Sequence, residues 1–220
     1  MVSGNPTLFA IVRLSLAVSL TASLIAAVVG MPFGASLALT RFPGRAALIV
    51  LCNAMMGLPP VVVGLAVYLV LSRSGPLGSM GILFTPAAMI VAQTILIVPI
   101  IAALTRQTVE DLWSEYRNEL NAMEVGPAGR VATLLWDARY SLLTTLLAGF
   151  GRAVAEVGAV MIVGGNIDGF TRTMTTAIAL ETSKGDLPLA MGLGLVLVGI
   201  VLAINAAAWA ARLWSERQAG

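Results

Sequence analysis

Several runs of this chain contain no charged residue and are long enough to cross a membrane as a helix. They include the segments 14–40, 46–72 and 187–211. About 20 apolar residues span the hydrocarbon core of a bilayer, where a backbone must satisfy its own hydrogen bonds and therefore favours the helix. Only 11% of the chain is charged, against about 25% in soluble domains. We therefore predict an all-α, polytopic membrane protein.

We predict five transmembrane helices in a single domain that occupies residues 1–220. The predicted spans are about 13–39, 46–71, 87–104, 141–163 and 189–211, and the loops between them are too short to form a separate domain. Proline lacks the N–H that a helix needs, so we expect Pro32 to kink or end the first helix, Pro59-Pro60 to interrupt the second and Pro99 to kink the third. Such breaks either are simple structural kinks or line a water-filled path.

The segment 106–139 is too charged to lie in lipid. It contains six acidic residues and four arginines, and each charge at the centre of a membrane helix costs roughly 2.5–3.5 kcal/mol. Its apolar residues have helical spacing on both sides of an expected break at Gly126–Gly129: Val109, Leu112, Trp113, Tyr116 and Leu120 before it, and Val131, Leu134 and Leu135 after it. These helices either present a compact surface to a soluble partner or lie on the membrane as an amphipathic connector.

The distribution of Lys and Arg predicts the orientation. If the segment 106–139 is cytoplasmic, that side carries eight basic residues: Arg41, Arg45, Arg106, Arg117, Arg130, Arg139, Arg212 and Arg217. The other side carries three: Arg73, Arg172 and Lys184. Basic residues concentrate in cytoplasmic loops, so we predict the N-terminus outside and the C-terminus inside. Trp209 and Trp214 are expected to anchor the last span at the membrane interface.

Arg152 and Glu156 are the only charged residues in the interior of a predicted span, since Arg13 stands at the start of the first one. Four residues apart, they are expected on one helix face, and charges in a membrane are candidates for function because their burial is unfavourable. They either neutralise each other at a helix or dimer interface, or form a gate beside a translocation path.

Further along the chain, Thr171, Arg172 and Thr173 combine hydroxyl groups with a guanidinium, a combination that suits a tetrahedral oxyanion. Asn166 is a weaker candidate for the same path. Hydroxyl groups near such a loop are more often helix caps, and Thr171 is a candidate N-cap.

Residue types that are common in catalytic and metal sites are scarce or absent in this sequence. It has one cysteine, Cys52, and no histidine, which disfavours disulfides and Cys/His metal sites. Its only lysine, Lys184, lies in Thr-Ser-Lys-Gly and cannot belong to a G-x-x-x-x-G-K-[ST] phosphate loop. A net charge of +2 gives little support for nucleic-acid binding. We predict a chain that is not an enzyme and has no cofactor of its own.

Three segments carry a family resemblance: RFPGR at 41–45, GLPPVVVGLAVYLVLSRSGPLG at 57–78, and 149–186, which begins GFGRAVAEVGAV. On these the chain resembles, over residues 13–213, the permease subunits of bacterial ABC importers of the molybdate, sulfate and tungstate group, and within it the tungstate permeases. The resemblance implies a type I importer-like homodimer in the inner membrane. It further implies partner ATPase subunits that bind ATP and Mg, and an extracytoplasmic substrate-binding protein. The expected cargo is tungstate, with molybdate or sulfate as the alternative.

In that family a coupling helix docks into the ATPase, and the segment 119–139 corresponds to it. Ala122 and Gly126 match the family pattern, Glu119 matches one position early, and Arg139 stands where a proline is expected. The ATPase-coupling candidates are Glu119, Ala122, Gly126 and Arg130.

Two functions of other classes remain open at this stage. An ATP-independent secondary carrier would have only Arg152 and Glu156 to couple to an ion gradient. A membrane scaffold would not need spans that are broken by proline.

Overall fold

The computed structural model describes residues 6–219, with side chains for residues 7–210. Every regular element in this range is helical, which confirms the all-α prediction. The α-helices are α1 (Pro6–Leu39), α2 (Arg45–Met56), α3 (Pro60–Leu71), α4 (Pro86–Ala122), α5 (Pro127–Asp137), α6 (Arg139–Val154), α7 (Gly158–Gly164), α8 (Met174–Lys184) and α9 (Leu187–Ala219), with a 3-10 turn at Gly78–Met80. The predicted anchor Trp214 and the basic residues Arg212 and Arg217 lie outside the described side chains.

Three of these helices are long and apolar enough to cross a membrane alone: Thr7–Leu39, Pro86–Ala122 and Leu187–Ala210. Two interrupted pairs, α2 with α3 and α6 with α7, qualify only when the two helices are taken together. The chain is thus a helical, polytopic membrane protein with three to five spans, and the five predicted spans correspond to the upper number.

The prolines in the spans have different effects. Pro32 does not end the first helix, because α1 continues to Leu39, and α4 likewise continues through Pro99. Pro59 and Pro60 separate α2 from α3, which confirms the predicted interruption. Pro60 is the first residue of α3, where the N–H that it lacks would have no partner within the helix.

The described residues form two compact units. Among the described residues, unit 1 comprises residues 6–21, Pro59–Gln93 and residues 151–219. Within it α3 and α7 are in close contact, since a Cβ at Gly64 would lie 2.7 Å from the Cα of Ala159. Helix α8 packs on α9. The amide of Met174 donates to Ser15 Oγ at 2.8 Å, which connects the start of α8 to α1.

Unit 2 comprises Ala22–Leu58 and Thr94–Phe150. Here α1 and α4 approach so closely that a Cβ at Gly34 would lie 2.3 Å from the carbonyl oxygen of Ala102. Small residues permit such approach between membrane helices. The charged segment belongs to this unit, as the last turns of α4 followed by α5.

Candidate coupling segment and anion path

An apolar core holds the charged segment together. Its buried members are Ala35, Val109, Leu120 and Leu134, and the partly buried side chains around them include Leu112, Trp113, Tyr116, Val131 and Leu135. The stripe that helical spacing predicted therefore packs on α5 and on the end of α1. This leaves a folded helical hairpin whose apolar stripe is covered by protein.

The break in this hairpin lies earlier than predicted. Helix α4 ends at Ala122, and α5 begins at Pro127. Pro127 therefore begins a helix and does not terminate one, and the fixed φ of proline favours this first helical position. The turn is closed by the amide of Val125, which donates to the Leu120 carbonyl at 3.1 Å. Glu124 has a φ of 53°, in the left-handed region that residues other than glycine seldom adopt.

Arg130 braces this turn from the side of α5. Its Nε donates to the carbonyl of Val125 at 2.7 Å, and its guanidinium carbon lies 5.4 Å from the ring centroid of Trp113, within the range of a cation–π contact. The other three coupling candidates are exposed: Glu119, Ala122 and Gly126. The structure therefore gives Arg130 an internal role and leaves the other three accessible.

Two exposed apolar side chains accompany the turn. Met123 is 73% exposed and Trp136 is 72% exposed, although both belong to a segment too charged for lipid. Met and Trp are enriched where proteins contact each other. The sequence analysis did not select Met123 or Trp136. Both are apolar residues that lie off the apolar stripe of this segment, and that position was the signal that could have indicated their exposure.

A cluster of ion pairs links the RFPGR loop to α4. Arg45 Nη2 lies 2.5 Å from Glu110 Oε1, and Arg106 pairs with the other oxygen of the same carboxylate. Arg45 also donates from Nε to the carbonyl of Leu37 at 2.7 Å. The guanidinium of Arg45 thus joins the end of α1, the start of α2 and α4.

In unit 1, the predicted pair Arg152 and Glu156 does not lie on one continuous helix. Helix α6 ends at Val154, and Glu156 occupies the break before α7. Glu156 is 5% exposed, and its Oε1 accepts a hydrogen bond from the amide of Ala159 at 3.1 Å. Arg152 Nη2 lies 3.8 Å from Glu156 Oε2, and its side chain is 40% exposed. The hydrogen bond between Glu156 and the amide of Ala159, at the start of α7, is therefore shorter than the ion pair between Glu156 and Arg152.

Two further polar residues support this break. Gln93 Nε2 donates to the carbonyl of Ala153 at 2.9 Å, and Thr175 Oγ1 donates to the carbonyl of Glu156 at 3.0 Å. Backbone carbonyls freed where a helix ends need such partners. Sequence reasoning did not select Gln93, because nothing in the chain near Gln93 indicates that it lies beside Ala153.

The remaining path candidates lie together in the loop between α7 and α8. Thr171 Oγ1 donates to the carbonyl of Gly164 at 2.5 Å and accepts from the amide of Ile167 at 2.9 Å. The prediction of Thr171 as an N-cap was wrong, since α8 is capped by Thr173, which forms a capping box with Thr176. An extended backbone at the residue before the helix is what a cap requires, and Thr173 has it.

Asn166 and Arg172 complete this loop. Asn166 has a φ of 49°. Arg172 Nη1 lies 2.9 Å from Asp168 Oδ1. The structure thus places Asn166, Thr171, Arg172 and Thr173 near one another, with the threonine hydroxyls bonded within the protein. Thr175 links α8, directly after this loop, to the break that holds Glu156.

Helices long and apolar enough to cross a membrane, interrupted spans and a folded charged hairpin define the chain as a polytopic membrane protein. No family model matches it. It is 41% identical over 204 residues to a probable anion ABC transporter permease protein of Haloferax volcanii, covering 90% of this chain and 88% of the relative. It is also 41% identical over 206 residues to the tungstate uptake system permease protein TupB of Peptoclostridium acidaminophilum, covering 94% and 90%.

A more distant relative is the molybdenum transport system permease protein ModB of Azotobacter vinelandii, which is 28% identical over 177 residues, covering 77% of this chain and 78% of the relative. At 41% identity over nearly the whole length of two permeases, the chain belongs to the family of ABC transporter permease proteins that includes the tungstate uptake permeases.

Proposed function

We propose that this chain is the membrane permease of an ATP-driven importer of tungstate, and that two copies form the path of the oxyanion. The observation that carries the proposal is the 41% identity to the tungstate uptake permease over 94% of this chain. The relatives named for molybdenum and sulfate are only 25–30% identical. Molybdate and sulfate have the same charge and the same tetrahedral shape as tungstate, so they are the alternatives that an experiment must exclude.

The proposed partner of the charged hairpin is a cytoplasmic ABC ATPase. Exposed Glu119, Ala122 and Gly126, together with Met123 and Trp136, would form the contact surface. The partner would bind ATP and Mg, because this sequence has no phosphate loop. A substrate-binding protein would deliver the anion on the opposite side of a bacterial cytoplasmic membrane, with the N-terminus of the permease outside and its C-terminus inside.

Transmission of movement would follow from the continuity of α4. This helix runs from Pro86 to Ala122 without interruption, so displacement of the hairpin at its end would move the membrane part of the same rigid element. The ATPase would do this work only if it contacted two states of the permease differently. The break at Glu156, with Arg152 beside it, and the loop with Asn166, Thr171, Arg172 and Thr173 are the proposed gate and path residues.

The test is uptake by proteoliposomes that contain the permease, its ATPase and its binding protein. We expect accumulation of tungstate only with ATP, with at least tenfold weaker inhibition by molybdate and sulfate, as about 1.4 kcal/mol of discrimination would produce. Equal inhibition by all three anions would remove the tungstate assignment. Transport without nucleotide would instead indicate a secondary carrier.

The proposed docking surface has its own test. The variants M123E and W136E each place a charge where we propose an exposed apolar contact. We expect that the ATPase no longer copurifies with either variant. The matched control is L77E, since Leu77 is 45% exposed in the loop on the opposite predicted side. Unchanged copurification of both hairpin variants would contradict the docking surface.

A further inference from the structure

Unit 1 contains a cavity of about 570 Å³ between the first turns of α1 and the loop that precedes α8. Two guanidinium groups, those of Arg13 and Arg172, border it together with the carboxylate of Asp168. The remaining wall is largely apolar and includes Ala10, Ile11, Leu14, Ala17 and Phe170. The cavity therefore combines a cationic part with an apolar part.

The charges in this cavity do not cancel. Asp168 pairs with Arg172 at 2.9 Å, and no acidic side chain of the described residues forms an ion pair with Arg13. Two cations and one anion leave a charge of +1. In addition, Arg172 Nε is buried without a hydrogen-bond partner among the described residues. A guanidinium has five donors and no acceptor, so an anionic oxygen would satisfy what the protein leaves open.

The length of α1 and its charge pattern favour a position of Arg13 at the depth of the lipid headgroups. The span Thr7–Leu39 has 33 residues, which as a helix measures about 50 Å, whereas the hydrocarbon core is about 30 Å thick. The charge-free run begins at Leu14, directly after Arg13. A helix of this length extends beyond the hydrocarbon, and Arg13, the residue before the charge-free run, is expected at the boundary.

We propose that this cavity binds an anionic phospholipid, with the phosphodiester held by Arg13 and Arg172 and the acyl chains along the apolar wall. The single negative charge of a phosphodiester matches the cavity charge of +1, and guanidinium groups bind phosphate oxygens through paired hydrogen bonds. Free phosphate or the transported oxyanion has the same oxygen chemistry. Neither would use Ala10, Leu14 and Ala17, which lie along one face of α1 from the cavity into the span.

The experiment measures phosphatidylglycerol bound to the full-length permease in mixed micelles by native mass spectrometry. We expect phosphatidylglycerol to be retained in preference to phosphatidylcholine. R13Q should weaken binding about fivefold, the effect of one basic residue near an anionic membrane surface. D168N should strengthen it, because it removes the carboxylate that competes for Arg172. The matched control R73Q changes an exposed arginine of the same predicted side that does not border the cavity.

Equal retention of the lipid by the wild type, R13Q and D168N would overturn the proposal, as would equal retention of phosphatidylcholine. Inorganic phosphate and tungstate serve as competitors. Displacement of phosphatidylglycerol by either one at equal concentration would assign the cavity to a free oxyanion and also overturn the lipid assignment. The lipid assignment takes Arg172 out of the proposed path residues, whereas the tungstate assignment rests on the identity to the tungstate uptake permease, so either one can fail while the other is intact.

Discussion

The guanidinium of Arg130 lies over the indole of Trp113, with 5.4 Å between its carbon and the ring centroid, and so holds α5 against the end of α4. The same side chain donates to the carbonyl of Val125 in the turn between the two helices. A single residue thus secures both the helix pair and the turn. Docking of an ATPase at this turn would meet a surface that is already folded, which lowers the entropic cost of binding.

Replacing Arg130 should loosen the hairpin without unfolding the membrane part. R130A removes a cation–π contact and a hydrogen bond to the backbone, together about 1–2 kcal/mol. We expect faster proteolysis at residues 123–126 and weaker copurification of the ATPase. R117A is the control, since Arg117 is exposed in the same segment. Equal cleavage rates for R130A and R117A would show that Arg130 is not a brace.

Gly34 should tolerate no side chain. In G34A the new Cβ would lie 2.3 Å from the carbonyl oxygen of Ala102, and backbone atoms of a packed helix pair cannot move away freely, so we expect a loss of about 1–3 kcal/mol. G151A is the control, because a Cβ there meets no atom within 4 Å and alanine favours a helix. Thermal unfolding in detergent measures both, and a G34A variant as stable as G151A would contradict the close contact of α1 with α4.

The two contacts of Glu156 can be separated by substitution. E156Q keeps a side-chain oxygen for the amide of Ala159 but removes the charge that faces Arg152, whereas E156A leaves the amide without its partner, which costs about 1–3 kcal/mol. We expect E156Q to unfold close to the wild type and E156A well below it. Similar destabilisation in E156Q, E156A and R152Q would mean that the ion pair dominates.

The pair of Arg45 with Glu110 should show direct energetic coupling. A double-mutant cycle with R45Q and E110Q should give a coupling energy of about 0.5–1 kcal/mol, since these side chains are only partly buried. Denaturant unfolding of the four proteins supplies the values. A second cycle of R45Q with E115Q, at an exposed glutamate of the same helix, should give no coupling. Coupling of equal size in both cycles would point to a general charge effect.

Local chemistry accounts for the predictions that succeeded. The spans and the interruption at Pro59-Pro60 were predictable because the presence of charges and of a backbone N–H depends on residue type alone. The apolar stripe of the charged segment was likewise read from its period. The residues that cover the stripe could not be predicted from this period, because Ala35 of α1 lies far from Leu134 in the chain.

The failed predictions concern positions where several local choices were acceptable. Thr171 and Thr173 can both cap a helix, and only the fold, which gives the Thr171 hydroxyl to Gly164, left Thr173 as the cap. Pro127 could end one helix or begin the next. Arg152 and Glu156 have the spacing of a helical pair, but the chain breaks between them, where Gln93 and Thr175 supply partners for the carbonyls of Ala153 and Glu156.

The sequence by itself determined that this chain crosses a membrane, and it predicts that residues 106–139 remain outside the lipid, because the free energy of placing charge in hydrocarbon depends on which residues are present. Only the tertiary structure decided which partner each polar group has. Arg45 meets Glu110 across 65 residues, and Ser15 meets Met174 across 159. A hydrogen bond requires two groups within about 3 Å and an ion pair within about 4 Å, and over such separations in the chain their distance is set by the packing of whole helices.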